Sequence, residues 1–325
     1  MSFFAFQPIP ARTAAIDLGI RRALSDSATR VINEAMRHGF VHDSVPLEWS
    51  RALLATRRAP PQLWACYHDL VQAILRGDAE AVMRLASELV ARRPDRPGRP
   101  GTVLTIAEGD LGAIDVARYR AVIDSDVEQP LGLRPVEPAE VHRIRGLVAE
   151  ARGLLTEADL TLLDEIDTLG HQIVLATNAS GGFGGAATVF LWGAVVLNPA
   201  RVPDRVTLVE GLAHETAHAL LFGMTLGADL TTNDPIERYA SPLRRDPRPI
   251  EGIVHATYVL ARMNHALMAL RGAKSLDDRE RVLIANKLAH NRASYEAGLG
   301  VVLAHGRFTP DGEAIFDACR EAMAI

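Results

Sequence analysis

Lysine is almost missing from this chain. Only Lys274 and Lys287 occur, and arginine supplies the rest of the 35 basic side chains. Cysteine is nearly as scarce: Cys66 and Cys319 are the two in 325 residues, which excludes a disulfide framework and a cysteine-ligated metal site. No strong basic run occurs, and the net charge is −5 with a pI near 6.1. That balance argues against nucleic acid or an acidic membrane surface as a partner. Long apolar runs are lacking too. The most apolar stretch, over 186–197, falls short of the roughly 20 residues that span a bilayer. The start, Met1-Ser2-Phe3-Phe4, has no basic region followed by an apolar one, so no signal peptide is expected. The expected location is the cytoplasm.

What the chain does hold is helical periodicity. Apolar residues recur at helix spacing in Leu63, Leu70, Val71 and Ile74, and again in Val82, Leu85, Leu89 and Val90. Residues 1–92 therefore read as a helical region. The Pro-, Gly- and charge-rich stretch 93–101 reads as a linker, and 102–325 as a catalytic region. Within the latter, 102–106 and 172–177 read as strands. Residues 188–191 and 194–197 read as a hairpin about Trp192-Gly193. The Gly-rich 180–185 lacks the strand-then-helix setting of a phosphate cradle and reads as a loop. Helices are expected over 137–155, 157–169, 204–222 (stopping at Gly223), 250–270 and 277–305, with a short one after Pro310. The fold class is mostly α with a small antiparallel β part (α+β), and a metal site lies between two long helices.

That site is announced by His214-Glu215-Thr216-Ala217-His218. Residues four apart lie one above the other on a helix, so both imidazoles can address one ion, with Glu215 beside them in zincin-like fashion. With 11 histidines in the chain, such a pentapeptide arises by chance ~0.02 times, which makes the motif moderately specific. A pair of helix histidines bonded to carbonyls or water is the plain alternative. A third ligand is required. The metzincin pattern would need glycine at 221 and histidine at 224, where Leu221 and Met224 stand. The next helix offers Glu251 and His255, also four apart, and helix geometry allows either.

The stretch His214-Glu215-x-x-His218, then Tyr239-Ala240-Ser241-Pro242-Leu243-Arg244, then Asp246-Pro247-Arg248-Pro249-Ile250-Glu251-Gly252-Ile253-Val254-His255-Ala256 resembles the HExxH-motif peptide-modification family. The turn Thr309-Pro310-Asp311-Gly312 fits the same pattern. The resemblance is strongest over 170–325. It implies an iron(II)- and 2-oxoglutarate-dependent β-hydroxylase acting on peptides or related natural-product precursors, with dioxygen as the oxidant. It also implies His255 as third ligand beside His214 and His218. Oxoglutarate is a dianion, and arginine grips carboxylates with a planar fork. Arg244 and Arg248, in the proline-stiffened approach to the second ligand helix, are the candidate anchors, with Arg262 third. The plain reading of any of them is an ordinary ion pair.

Two other readings compete. A zinc metallopeptidase would use Glu215 as general base and Glu251 as third ligand. A binding module would keep the motif without the chemistry, although the motif residues and both candidate third ligands are intact. The substrate is open between a peptide, a carrier-bound amino acid and a small molecule. His171, His265 and His290 are further histidines that can line a site, each better explained as structural. Asn178, Ser180 and Trp192 are read as turn formers and packing.

Overall fold

The computed structural model describes residues 3–41, 44–96, 98–124, 131–178, 182–241 and 246–324. In chain order the helices are α1 (Pro10–Arg37), α2 (Leu47–Ala55), α3 (Gln62–Leu75), α4 (Ala79–Ala91), α5 (Glu108–Leu111), α6 (Ala113–Ile123), α7 (Pro138–Ala158), α8 (Leu160–Leu169), α9 (Arg205–Thr225), α10 (Ile250–Leu270), α11 (Asp278–His305) and α12 (Pro310–Met323). The strands are β1 (Thr102–Thr105), β2 (Gln172–Leu175), β3 (Gly185–Ala186) and β4 (Ala194–Leu197). The protein is thus mostly helical with one small sheet. No helix among the described residues is long and apolar enough to cross a membrane. The chain divides into two compact units. One comprises 13–145 with 167–201, and the other 1–12, 146–166 and 202–325.

The first unit holds the sheet, in the order β1-β2-β4-β3. β1 pairs with β2 and β2 with β4 in parallel, Thr102 opposite Gln172 and Gln172 opposite Ala194. Only β3 runs antiparallel, Gly185 opposite Leu197. The antiparallel sheet expected from the sequence is therefore corrected to a mixed one. Residues 189–191 form a short 3-10 turn instead of the first arm of a hairpin. The reason lies in the strands themselves. β2 and β4 are buried at every position, and continuous burial marks a parallel strand covered on both faces, whereas a hairpin with one wet face alternates. The core on which they pack includes Ala65, Ile106, Val116, Tyr119, Leu133, Val174, Phe183 and Val196. Trp192 is buried there, its indole N–H donating to Asp17 at 3.0 Å. Arg118, also buried, bridges Asp69 at 2.7 Å and Glu88 at 2.6 Å.

His171, just ahead of β2, belongs to this core. A Cβ on Gly98 would stand 2.1 Å from one edge of its ring and a Cβ on Gly193 2.2 Å from the other. Gly193 has φ +90° besides. The imidazole is clamped between two bare backbones, and burial, reinforced by the charge of Arg58, pushes its pKa down to about 4. In the unfolded chain the same ring titrates near 6.5. Between those values the unfolded state takes up the proton more readily, so stability falls as pH falls. From pH 7 to pH 5 the loss should be roughly 2 kcal/mol from this residue. Urea unfolding of wild type and His171→Gln at the two pH values checks it. An equal pH dependence in both proteins would rule out His171 as the source.

The second unit is helical. α10 packs along α9 and α11, and α12 packs on α10. Three of these helices, α9, α11 and α12, start where a side chain satisfies free N–H groups. Asp204 accepts from Thr207 N–H at α9. Asp277 and Glu280 form a reciprocal capping box at α11. Thr309 accepts from Gly312 N–H ahead of Pro310 at α12. α10 and α11 occupy their expected ranges to within one residue. α9 does not stop at Gly223, as its glycine suggested, but runs to Thr225. Gly223 and Met224 are buried on the packed face, and that burial outweighs the ~1 kcal/mol glycine costs inside a helix. The stop falls at Leu226, with left-handed φ 50°, and Gly227, with φ +80°.

Candidate metal centre

α9 presents Glu210, His214 and His218 at successive four-residue steps. α10 presents Glu251 and His255 beside them. The His214 and His218 rings lie 5.1 Å apart between centroids, and His218 and His255 lie 6.4 Å apart at 30°. Phe222 closes on His255 at 6.0 Å. The three histidines named by the sequence therefore gather in one place, on two adjoining helices.

The surroundings of His218 favour a neutral imidazole. His218 is packed about so densely that burial pushes its pKa down to about 3, with His214 and then His255 adding to the effect. A neutral imidazole is the form that ligates a metal. Glu215 is buried, and desolvation alone pushes it up to about 8. His214 Nε2 lies 4.0 Å from its Oε1.

Glu251 is differently placed. Its Oε1 accepts from Leu230 N–H at 3.0 Å. Its Oε2 accepts from Thr231 N–H at 2.9 Å and from the Thr231 hydroxyl at 2.7 Å. His255 Nε2 stands 3.2 Å from the same Oε1. Burial raises the Glu251 pKa, but the His255, Leu230 and Thr231 donors outweigh it and hold the carboxyl below its usual range. Glu251 is thus an anchored carboxylate that orients a histidine, the partnership that positions metal-ligating imidazoles. The Leu230 end of this arrangement is fixed in turn. Thr309 N–H donates to Leu230 O at 2.9 Å, and a Cβ on Gly312 would stand 2.0 Å from that oxygen. The Thr309–Gly312 turn presses on the residue that holds Glu251.

The donor set suits a borderline metal ion in kind: three imidazoles, a buried carboxyl and no thiolate. Two imidazoles sharing one ion tetrahedrally have centroids roughly 5 Å apart. The His214–His218 pair meets that spacing, while His218–His255 is wider. His214 Nδ1 lies 3.3 Å from Met263 Sδ, and His255 Nε2 addresses Glu251. Among the described residues, no three His, Cys, Asp or Glu side chains stand ready as placed to hold an ion. With His255 Nε2 committed to Glu251, the ring nitrogen left for a metal is its Nδ1.

No family model matches the chain, and no curated protein matches it. The site is therefore read from its own residues.

The arginines sort as follows. Arg244 lies outside the described residues, as does Ser180. Arg248 is half-exposed, pairs with Asp246 at 2.8 Å, and is held by two backbone hydrogen bonds to Tyr239, each 2.8 Å. Arg262, the third candidate anchor, is corrected to a structural role. It is 3% exposed, bound to Glu165 and to the Phe6 carbonyl, with Phe6 stacked on it at 5.2 Å. His265 is half-buried, edge-on to Phe6 at 5.9 Å and 3.9 Å from Asp159.

Sequence reasoning missed two residues. A cleft of about 370 Å³ opens beside His214, lined also by Glu210, Met263, Asn286, Lys287 and Asn291. His290 reaches it from α11 as well. The Glu210–His214–His218 stripe at four-residue spacing was the available signal for Glu210. The rarity of lysine was the signal for Lys287.

Proposed function

We propose that this chain is an iron(II)- and 2-oxoglutarate-dependent oxygenase that hydroxylates the β-carbon of an amino-acid unit, with His214, His218 and His255 holding the metal. The observation that carries this reading is the engagement of Glu251. Its carboxylate is already occupied by Leu230, Thr231 and His255, so the ligand that the zinc metallopeptidase reading requires is spent on structure. That leaves a third imidazole as the available donor.

Iron with 2-oxoglutarate supplies, when bound, the oxidising power to break an unactivated C–H bond. The chain's own residues do the rest. His214 and His218 offer donors from one helix face, and α9 keeps their spacing fixed. Glu251 keeps His255 in one orientation through its Nε2. The apolar neighbours that bury Glu215 and crowd His218 exclude water from the reacting centre. Arg244 or Arg248 receives the distal carboxylate of oxoglutarate.

Metal content and oxoglutarate turnover of anaerobically prepared protein test this. Iron-dependent oxoglutarate consumption is expected. Replacing the anchoring arginine by alanine should raise the KM for oxoglutarate about ten- to a hundredfold with iron binding unchanged. Lysine should rescue only in part, since it brings charge without the fork. If oxoglutarate is not consumed, or if Arg244→Ala and Arg248→Ala both keep the wild-type KM, the zinc hydrolase is the better reading.

A further inference from the structure

The cleft beside His214 has an ion pair in its wall. Lys287 Nζ meets Glu210 Oε2 at 2.6 Å, and Asn291 Nδ2 donates to Glu210 Oε1 at 2.7 Å. Asn291 thus holds the carboxylate in place from the side away from the lysine. The pair is not sealed: the Lys287 side chain is 21% exposed and that of Glu210 10%. A carboxylate accepts at about four sites and an ammonium donates three bonds. Among the described residues Glu210 uses two and Lys287 one. An ion pair formed only for stability on a helix surface contributes about 0–1 kcal/mol and has no need of a cleft beside it.

We propose that this cleft binds a free α-amino acid, Glu210 receiving its ammonium and Lys287 its carboxylate. A zwitterion is the ligand whose charges match the pair one for one. Inserting it exchanges one ion pair for two without leaving a net charge in the cleft. The volume, about 370 Å³, lies at the low end of small-molecule pockets and suits a ligand of this size. Glu210 sits one helical turn, about 5.4 Å, before His214. A ligand held at Glu210 and Lys287 therefore lies about one helical turn from His214, which lines the same cleft. Asn286, which lines the cleft from α11 beside Lys287, can supply a neutral hydrogen bond to the ligand's polar groups. A residue within a peptide has neither charge, and a carrier-bound amino acid has only the ammonium, so both are poorer matches to the pair. The substrate's chemical consequence rests on the oxygenase reading given above. The binding site itself does not.

The test is calorimetry and saturation-transfer NMR on the full chain, first as purified and then with manganese(II) and 2-oxoglutarate. The ligands are the twenty free L-amino acids, followed by the N-acetyl and carboxamide forms of the best binder. At least one free amino acid should bind, and each cap should weaken it about ten- to a hundredfold. Glu210→Gln should abolish the penalty for acetylation and leave that for amidation. Lys287→Gln should do the reverse, and Lys287→Arg should keep binding. A merely structural pair would leave both penalties untouched. Should a variant not fold, the capped ligands on wild type still decide. The proposal is overturned if no free amino acid binds in either condition, or if capped forms bind as tightly as the free one. Binding without oxoglutarate turnover would keep this site and remove the oxygenase. Iron-dependent turnover on a peptide with no binding of free amino acids would do the opposite.

Discussion

Alanine at both His214 and His218 should abolish metal binding and all metal-dependent activity. Two of three donors leave at once, and of the carboxyls α9 carries near them, Glu210 is engaged by Lys287 and Asn291 and Glu215 is buried. Loss of an outer hydrogen-bond partner of a ligand costs metal affinity only about 10–100-fold. Glu251→Gln should therefore fall in that range, keeping a site that binds weakly. Metal content after desalting, compared across wild type, the double variant and Glu251→Gln, separates these outcomes. If Glu251→Gln lost metal as completely as the double histidine variant, Glu251 would be a ligand and the peptidase reading would return. Full occupancy in the double variant would sink the centre altogether.

The second large effect concerns stability. Glu165 is 1% exposed and carries one negative charge between two buried arginines. Arg12 donates to its Oε2 at 2.8 Å, and Arg262 donates to Oε1. The arginines also hold the chain start, Arg12 through the Ala5 carbonyl and Arg262 through that of Phe6. Removing a buried partner leaves the remaining charges uncompensated, at a cost of ~3–5 kcal/mol. With two guanidinium groups stranded, Glu165→Ala should reach the upper part of that range or yield no folded protein. The exposed pair Arg292–Glu296, 48% and 58% accessible, serves as the control. Glu296→Ala should change stability by less than about 1 kcal/mol. Equal urea midpoints for the two variants would show that the buried triad contributes no more than a surface pair.

How much of this was legible beforehand depended on how local each signal was. The starts of α9, α11 and α12 were readable because Asp204, Asp277 and Thr309 each satisfy N–H groups within three residues of themselves. The pairing of His214 with His218 was readable because four-residue spacing is a property of one helix. What sequence could not show was the choice between Glu251 and His255, since both stand on the same face of α10. The observation that separates them is that Leu230 and Thr231, about twenty residues upstream, already donate to Glu251. Strand direction was misread because 188–191 has strand composition yet sits where a turn must return the chain to a buried parallel strand. The length of α9 was misread because Gly223 punctuates only when nothing packs on it. Arg262 offered the right charge for a dianion, and only its neighbours Glu165 and Phe6 reveal that the charge is already committed.

The pressure of the Thr309–Gly312 turn on Leu230 has a consequence for the order in which the centre is made. His214, His218 and His255 leave the ribosome well before residues 309–312. Until that turn docks, Leu230 lacks its carbonyl partner, and the two N–H groups that hold Glu251 are not yet fixed. A nascent chain halted after α10 thus carries all three imidazoles but not the brace that orients the last of them. If the three imidazoles hold a metal as proposed above, the complete site would form only once this turn has docked.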